Sequence, residues 1–213
     1  MEKKKLIVFL CFLSMSMIAY ADSKITLKSG DISVFEKTTY AQVVFDYSKA
    51  EIEDKEESLD DFIEKKGYKY ENNWELAQKM SHKDFIKRFN KKSVGLKLNS
   101  DSTEETKYKV IISVRTINMG NTAKSLIPFG SKKGGGLSMF GYIYVKDHQG
   151  NKLCSLRFSD IQGLGEPSII ARLIATYEEL NNTLQRFLKK SKSKTNKETE
   201  EDEEEINEEE TEE

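Results

Sequence analysis

The sequence predicts an α+β domain: a mixed or antiparallel sheet with helices packed on one face, closed by an amphipathic C-terminal helix. Three observations carry this. Apolar residues alternate with period two in several short runs, a charged helical stretch interrupts those runs, and a stripe at alternating three and four spacing ends the apolar part of the chain.

The elements follow in order. Ile25 to Leu27 and Ile32 to Phe35 read as two early strands joined through Ser29-Gly30-Asp31, and Gln42 to Tyr47 as a stronger one. A short peripheral helix follows, with Ser58 as cap, Asp61 three residues on, the stripe Leu59, Phe62 and Ile63, and Gly67 as terminator. Asn73 can cap a second helix bearing Trp74, Ala77 and Met80, and Ser81 with Asp84 can restart it so that Phe85, Ile86 and Phe89 share a side. Trp74 reads as packing, with ligand stacking as the sharper alternative.

Val94, Leu96 and Leu98 then alternate with Gly95 and Lys97, and Tyr108 to Thr116 places Val110, Ile112 and Val114 on one face. Across a charged loop from Ser100 to Lys107, these read as neighbouring strands. A hairpin runs out from Met139 to Val145 and back from Lys152 to Phe158, turning at Asp147-His148-Gln149-Gly150-Asn151. Ile170, Leu173, Tyr177, Leu180, Leu184 and Phe187 then mark a helix of about 20 residues, which packs on the sheet or, as the rival reading, zips into a coiled coil.

The chain divides into residues 1–21 as an export signal, 22–190 as one domain and 191–213 as a disordered tail, basic first and then acidic. The signal shows in Lys3, Lys4 and Lys5, the apolar run Leu6 to Ile18, and Ala19-Tyr20-Ala21 before Asp22. A membrane anchor is the alternative, but a run of about 13 residues is short of the roughly 20 that a bilayer requires. Cys11 lies inside that run, so processing leaves Cys154 alone, and alternation sets it beside Leu156 and Phe158 as a buried hydrophobe, with a disulfide to another chain as the alternative.

The formal net charge of −2 conceals an asymmetry, because Glu198 to Glu213 holds twelve acidic residues and no basic one. Lys189, Lys190, Lys192, Lys194 and Lys197 lie just before that run. A weak electrostatic contact of Lys189–Lys197 with anionic surfaces is expected, but no specific nucleic acid, since the rest of the body is only slightly basic. From Ser191 onward Ile206 is the one aliphatic residue, too little apolar surface to offset the entropy of ordering. The acidic run then reads as a solvating segment, with cation binding or screening of the lysines as alternatives.

Gly130-Ser131-Lys132-Lys133-Gly134-Gly135-Gly136 invites a phosphate-binding reading but departs from a P-loop, for Gly136 follows Gly135 where that motif requires lysine. It reads as a flexible connection between strands. His82 and His148 fall in different elements, so no zinc site can be built from them, and no Gly-x-Ser-x-Gly elbow occurs. No catalytic, cofactor-binding or metal-ligating residue is assigned and no cofactor is expected.

The strand Tyr-Lys-Val-Ile-Ile-Ser-Val at 108 to 114, Asn118-Met119-Gly120, the Gly-rich stretch 130 to 136, the hairpin turning at Asp147 to Asn151 and the closing amphipathic helix form an ordered set. In that order of parts the chain, from about Tyr108 to Leu188, resembles a domain-of-unknown-function family of exported bacterial envelope proteins. Its architecture is similar to that of the amino-terminal domain of the periplasmic Tol-system propeller protein. The resemblance implies an interaction module with no catalytic signature to carry over.

These readings lead to one expectation: a non-catalytic exported module of the bacterial periplasm or cell envelope, or a secreted one, that binds another protein through a sheet edge or groove. The alternative is a small periplasmic hydrolase or ligand-binding enzyme whose carboxylates meet in a cleft.

Overall fold

A computed structural model of the chain describes residues 24–53, 55, 57–101, 106–120 and 136–209, with side chains described as far as Lys192. The export signal and the Gly-rich stretch up to Gly135 lie outside the described residues. The fold is α+β. Its strands are β1 (Lys24–Gly30), β2 (Tyr40–Asp46), β3 (Glu51–Ile52), β4 (Glu57–Ser58), β5 (Lys97–Asn99), β6 (Thr106–Asn118), β7 (Ser138–Asp147) and β8 (Lys152–Gln162). Its helices are α1 (Leu59–Lys66), α2 (Tyr68–Lys92) and α3 (Ile169–Glu209).

One mixed sheet runs in the order β1-β8-β7-β6-β2-β5, with β3 and β4 as a small ribbon at the end of β6. The β1, β8, β7 and β6 neighbours are antiparallel, while β2 lies parallel to both β6 and β5. A parallel neighbour requires a crossover, which α1 and α2 supply between β2 and β5. Val43, Val110, Ile112, Ile143, Leu156 and Phe158 point to one side and join Phe85, Phe89, Leu173, Tyr177, Leu180 and Leu184 of the helices in a single buried cluster. Phe45 marks the same side, meeting Phe85 and Tyr177 edge-on. The helices therefore cover one face.

Several local expectations are corrected. Ile32–Glu36 is a 3-10 turn rather than a strand: Asp31 caps it by accepting from the Ser33 amide, and the adjacent residues Val34 and Phe35 are both buried, which a half-buried strand does not allow. The stretch with caps at Asn73 and Ser81 is one helix, because α2 begins at once after Gly67, whose φ of +83° turns the chain between α1 and α2. Ser81 is buried inside it with its hydroxyl donating back to the Gln78 carbonyl, and Asp84 pairs with Arg88 instead of capping. Val94 is not in a strand but 92% exposed, and β5 pairs with β2, which separates it from β6.

Ser58 caps α1 as the sequence predicts, accepting from the Asp61 amide at 3.1 Å. The hairpin of β7 and β8 also forms as predicted, with Asp147 accepting from the Gln149 and Asn151 amides across its turn. The closing helix carries the expected buried stripe at Leu173, Tyr177, Leu180 and Leu184. The helix backbone is described as far as Glu209.

Candidate functional site

With the helices on one side, the other face of the sheet is left with its own side chains. Period two in β7 sends Met139, Gly141, Ile143 and Val145 to the core and Phe140, Tyr142 and Tyr144 outward. The outward rings form a ladder: Phe140 and Tyr142 meet edge-on at 5.6 Å, and Tyr142 and Tyr144 lie nearly parallel at 5.8 Å. All three are half-buried.

Register fixes what flanks them. Tyr144 lies opposite Ile111 on one side and Ser155 on the other, and Ile111 lies opposite Val44, so an apolar row crosses the sheet. Tyr142 lies between Ser113 and the exposed Arg157, whose guanidinium sits 4.8 Å from the Phe140 ring centroid. Beyond the apolar row come Lys109 and Lys146, paired across β6 and β7. At the other margin Asp46 accepts from the Ser48 and Ser113 hydroxyls at 2.7 and 2.9 Å. Its carboxyl is held below the usual range, first by Ser48, with further help from Ser113 and the charge of Arg115. The result is an aromatic and aliphatic band with a pair of lysines at one margin and the Asp46 carboxylate at the other.

Gly141 allows β7 to lie where it does. A Cβ there would stand 2.2 Å from the Ser113 carbonyl oxygen and 2.6 Å from Cζ of Phe158, so the core ring packs directly against the strand backbone between Phe140 and Tyr142.

Beneath the sheet is a second polar constellation, half-buried at His82 and Tyr47 and buried at Tyr177. His82 of α2 stacks on Phe45 at 3.7 Å, and its Nε2 lies 3.0 Å from the Tyr47 hydroxyl, which is 2.5 Å from the Tyr177 hydroxyl. Burial pushes the His82 imidazole down to about 4 and raises both tyrosines, so the cluster is neutral near pH 7. Asn181, one turn along α3 from Tyr177, is fully buried with both amide atoms unpartnered among the described residues.

The sequence-predicted candidates are not brought together. Trp74 is buried at 3% exposure with an edge contact to Tyr47, hence part of the packing. His148 lies exposed in the β7–β8 turn, whereas His82 is in α2. Among the described residues no group of three or more His, Cys, Asp or Glu is placed to hold a metal ion. Asp31, Asp46 and Asp147 all have their ionisation lowered, by hydrogen bonds from residues two to four positions on and, for Asp46, from Ser113 as well. No helix among the described residues is long and apolar enough to cross a membrane.

Cys154 lies in the core as expected, and burial, with Asp31 adding to it, pushes its thiol up to about 11. Native protein is therefore expected to react with a maleimide or disulfide reagent at pH 8 no faster than it opens, and urea to restore the full rate; rapid native labelling would overturn this burial.

No protein-family model matches the chain, and no curated protein matches it. Among solved structures, the PelC dodecamer from Paraburkholderia phytofirmans aligns at 9% identity with a TM-score of 0.39, over 74% of this chain and 96% of that chain. A point variant of the same dodecamer aligns at 8% identity and the same TM-score of 0.39, over 75% and 96%. A likeness at that TM-score carries no argument about fold or function.

Proposed function

We propose that the protein is a non-catalytic interaction module of the bacterial periplasm or cell envelope that binds another protein on the open face of its sheet. The single observation behind this reading is the Phe140, Tyr142 and Tyr144 ladder with Arg157 beside it. Aromatic residues and arginine are the side chains that most often carry binding energy at protein interfaces, and here they occupy the centre of a face with lysines at one margin and the Asp46 carboxylate at the other. β1, the outer strand beyond β8, pairs on one side only among the described residues, so a partner lying over the face can also add hydrogen bonds along that edge. β5, three residues long, offers little at the opposite edge.

Tyr142→Ser combined with Arg157→Ser tests the reading. Each truncation at a binding centre costs about 2 kcal/mol or more, so together they should abolish capture of the partner that wild-type protein retains from envelope extract. The melting temperature should move little, since the face is outside the core. Capture of the same proteins in equal yield by a folded variant would overturn the face as the binding site.

A further inference from the structure

Away from the sheet face, a cavity of about 510 Å³ opens where the 3-10 turn, the loop after α2 and the last packed turns of α3 meet. That volume falls within the roughly 300–1,000 Å³ of small-molecule sites. Ile32, Phe35, Val94 and Leu188 give it apolar walls. Lysines from two helices, Lys92 of α2 with Lys189 and Lys192 of α3, stand around it.

Val94 is the first sign that an apolar occupant belongs there. Its 92% exposure is built into the backbone: the Leu96 amide donates to the Phe35 carbonyl at 3.0 Å, and Gly95 presses so close to the 3-10 turn that a Cβ would lie 2.5 Å from the Glu36 carbonyl. The loop is pinned, and it holds a branched apolar side chain in water at the cavity mouth.

Gln185 is the second. It lines the cavity, and its Nε2 is buried without a hydrogen-bond partner, a donor lacking an acceptor. The acidic groups nearby are already engaged: Asp31 accepts from Ser33, and Glu36 lies 4.0 Å from Lys192.

We propose that this cavity binds one molecule of an anionic monoacyl lipid. Its chain lies along Phe35, Ile32, Leu188 and Val94, and its carboxylate or phosphate sits among Lys92, Lys189 and Lys192, with Gln185 Nε2 as a neutral donor to the same group. Apolar walls beside three lysines match this chemistry: Lys92 donates to Asn182 Oδ1 at 2.8 Å and Lys192 lies 4.0 Å from Glu36, and each ammonium has further donors to give an anionic headgroup. The site is separate from the sheet face, so it stands or falls independently of the protein-binding reading.

The test is calorimetric titration of the purified full chain below the critical micelle concentration, with lysophosphatidylglycerol, dodecanoate and lysophosphatidylcholine as ligands. One lysophosphatidylglycerol per chain is expected, with lysophosphatidylcholine weaker by roughly tenfold for the loss of several partly exposed charge contacts. Parallel binding of dodecanoate would show that the charge, not the phosphate, is read; its failure beside lysophosphatidylglycerol would assign the site to phosphate. Lys189→Glu with Lys192→Glu should remove the preference for the anionic headgroup. Val94→Glu, a change on an exposed loop that leaves the core intact, should weaken all the ligands. Equal affinity for anionic and zwitterionic lipids, indifference to both variants, or binding to anionic vesicles without binding to the monomeric lipid would each overturn the proposal.

Discussion

Acidification from about pH 6.5 to pH 4 is expected to remove about 2–3 kcal/mol of stability through His82. The ring lies against Phe45 and between Tyr47 and Tyr177, and desolvation lowers its pKa from 6.5 to about 4. Above 6.5 neither folded nor unfolded chain carries the proton, and the contribution is fully present. Between 6.5 and 4 the unfolded chain takes up a proton that the folded one refuses, so stability falls with pH. Below 4 both are protonated and the slope ends. A protonated imidazole would also make Nε2 an obligate donor toward Tyr47, closing off the arrangement open to the neutral cluster in which Tyr177 donates to Tyr47 and Tyr47 to His82. Urea denaturation of wild type and His82→Phe across pH 4 to 8 isolates the effect, because Asp31, Asp46 and Asp147, whose lowered pKa values act at still lower pH, are common to both. The gap between the two proteins should shift by 2 kcal/mol or more across this window; a gap independent of pH would mean that His82 does not titrate as its burial demands.

How much of this was legible in the sequence differs from element to element. The β7–β8 hairpin and the closing helix could be read directly, because in each the apolar period and the turn or cap residues agree. α2 could not be read as one helix, since Asn73, Ser81 and Asp84 are residues that cap when exposed; burial of Ser81, with its hydroxyl bonded back to the Gln78 carbonyl, overrides that preference. The turn Ile32–Glu36 shows three apolar residues, Ile32, Val34 and Phe35, that suggest a strand, and its compact form depends on the Asp31 side chain.

The open face was hidden for a different reason. Both faces of β7 are apolar, so alternation divides Met139, Ile143 and Val145 from Phe140, Tyr142 and Tyr144 without saying which set meets the helices. Gly141 was the available signal, since a glycine amid aromatics marks a close approach on its own side, and that side is occupied by Phe158. The cavity had no such signal: Phe35, Val94 and Leu188 come from three distant segments, and only the fold joins them.

Leu180→Ala is expected to cost 2–5 kcal/mol, the range for removing a fully buried leucine when the surroundings only partly close over the space. Leu180 has no exposed surface and lies midway along the packed stripe, between Tyr177 and Leu184, where α3 meets α2 and the sheet. The loss has little local relief: the next residue, Asn181, is buried with both amide atoms unpartnered, and that turn of α3 already bears a desolvation cost that a new void would not reduce. The variant should unfold in urea at a lower midpoint with an unchanged slope, as expected when native compactness is kept and only packing is lost. A loss below about 0.5 kcal/mol, the range of ordinary surface substitutions, would show that the stripe does not serve the core, and would turn the helix toward self-association instead.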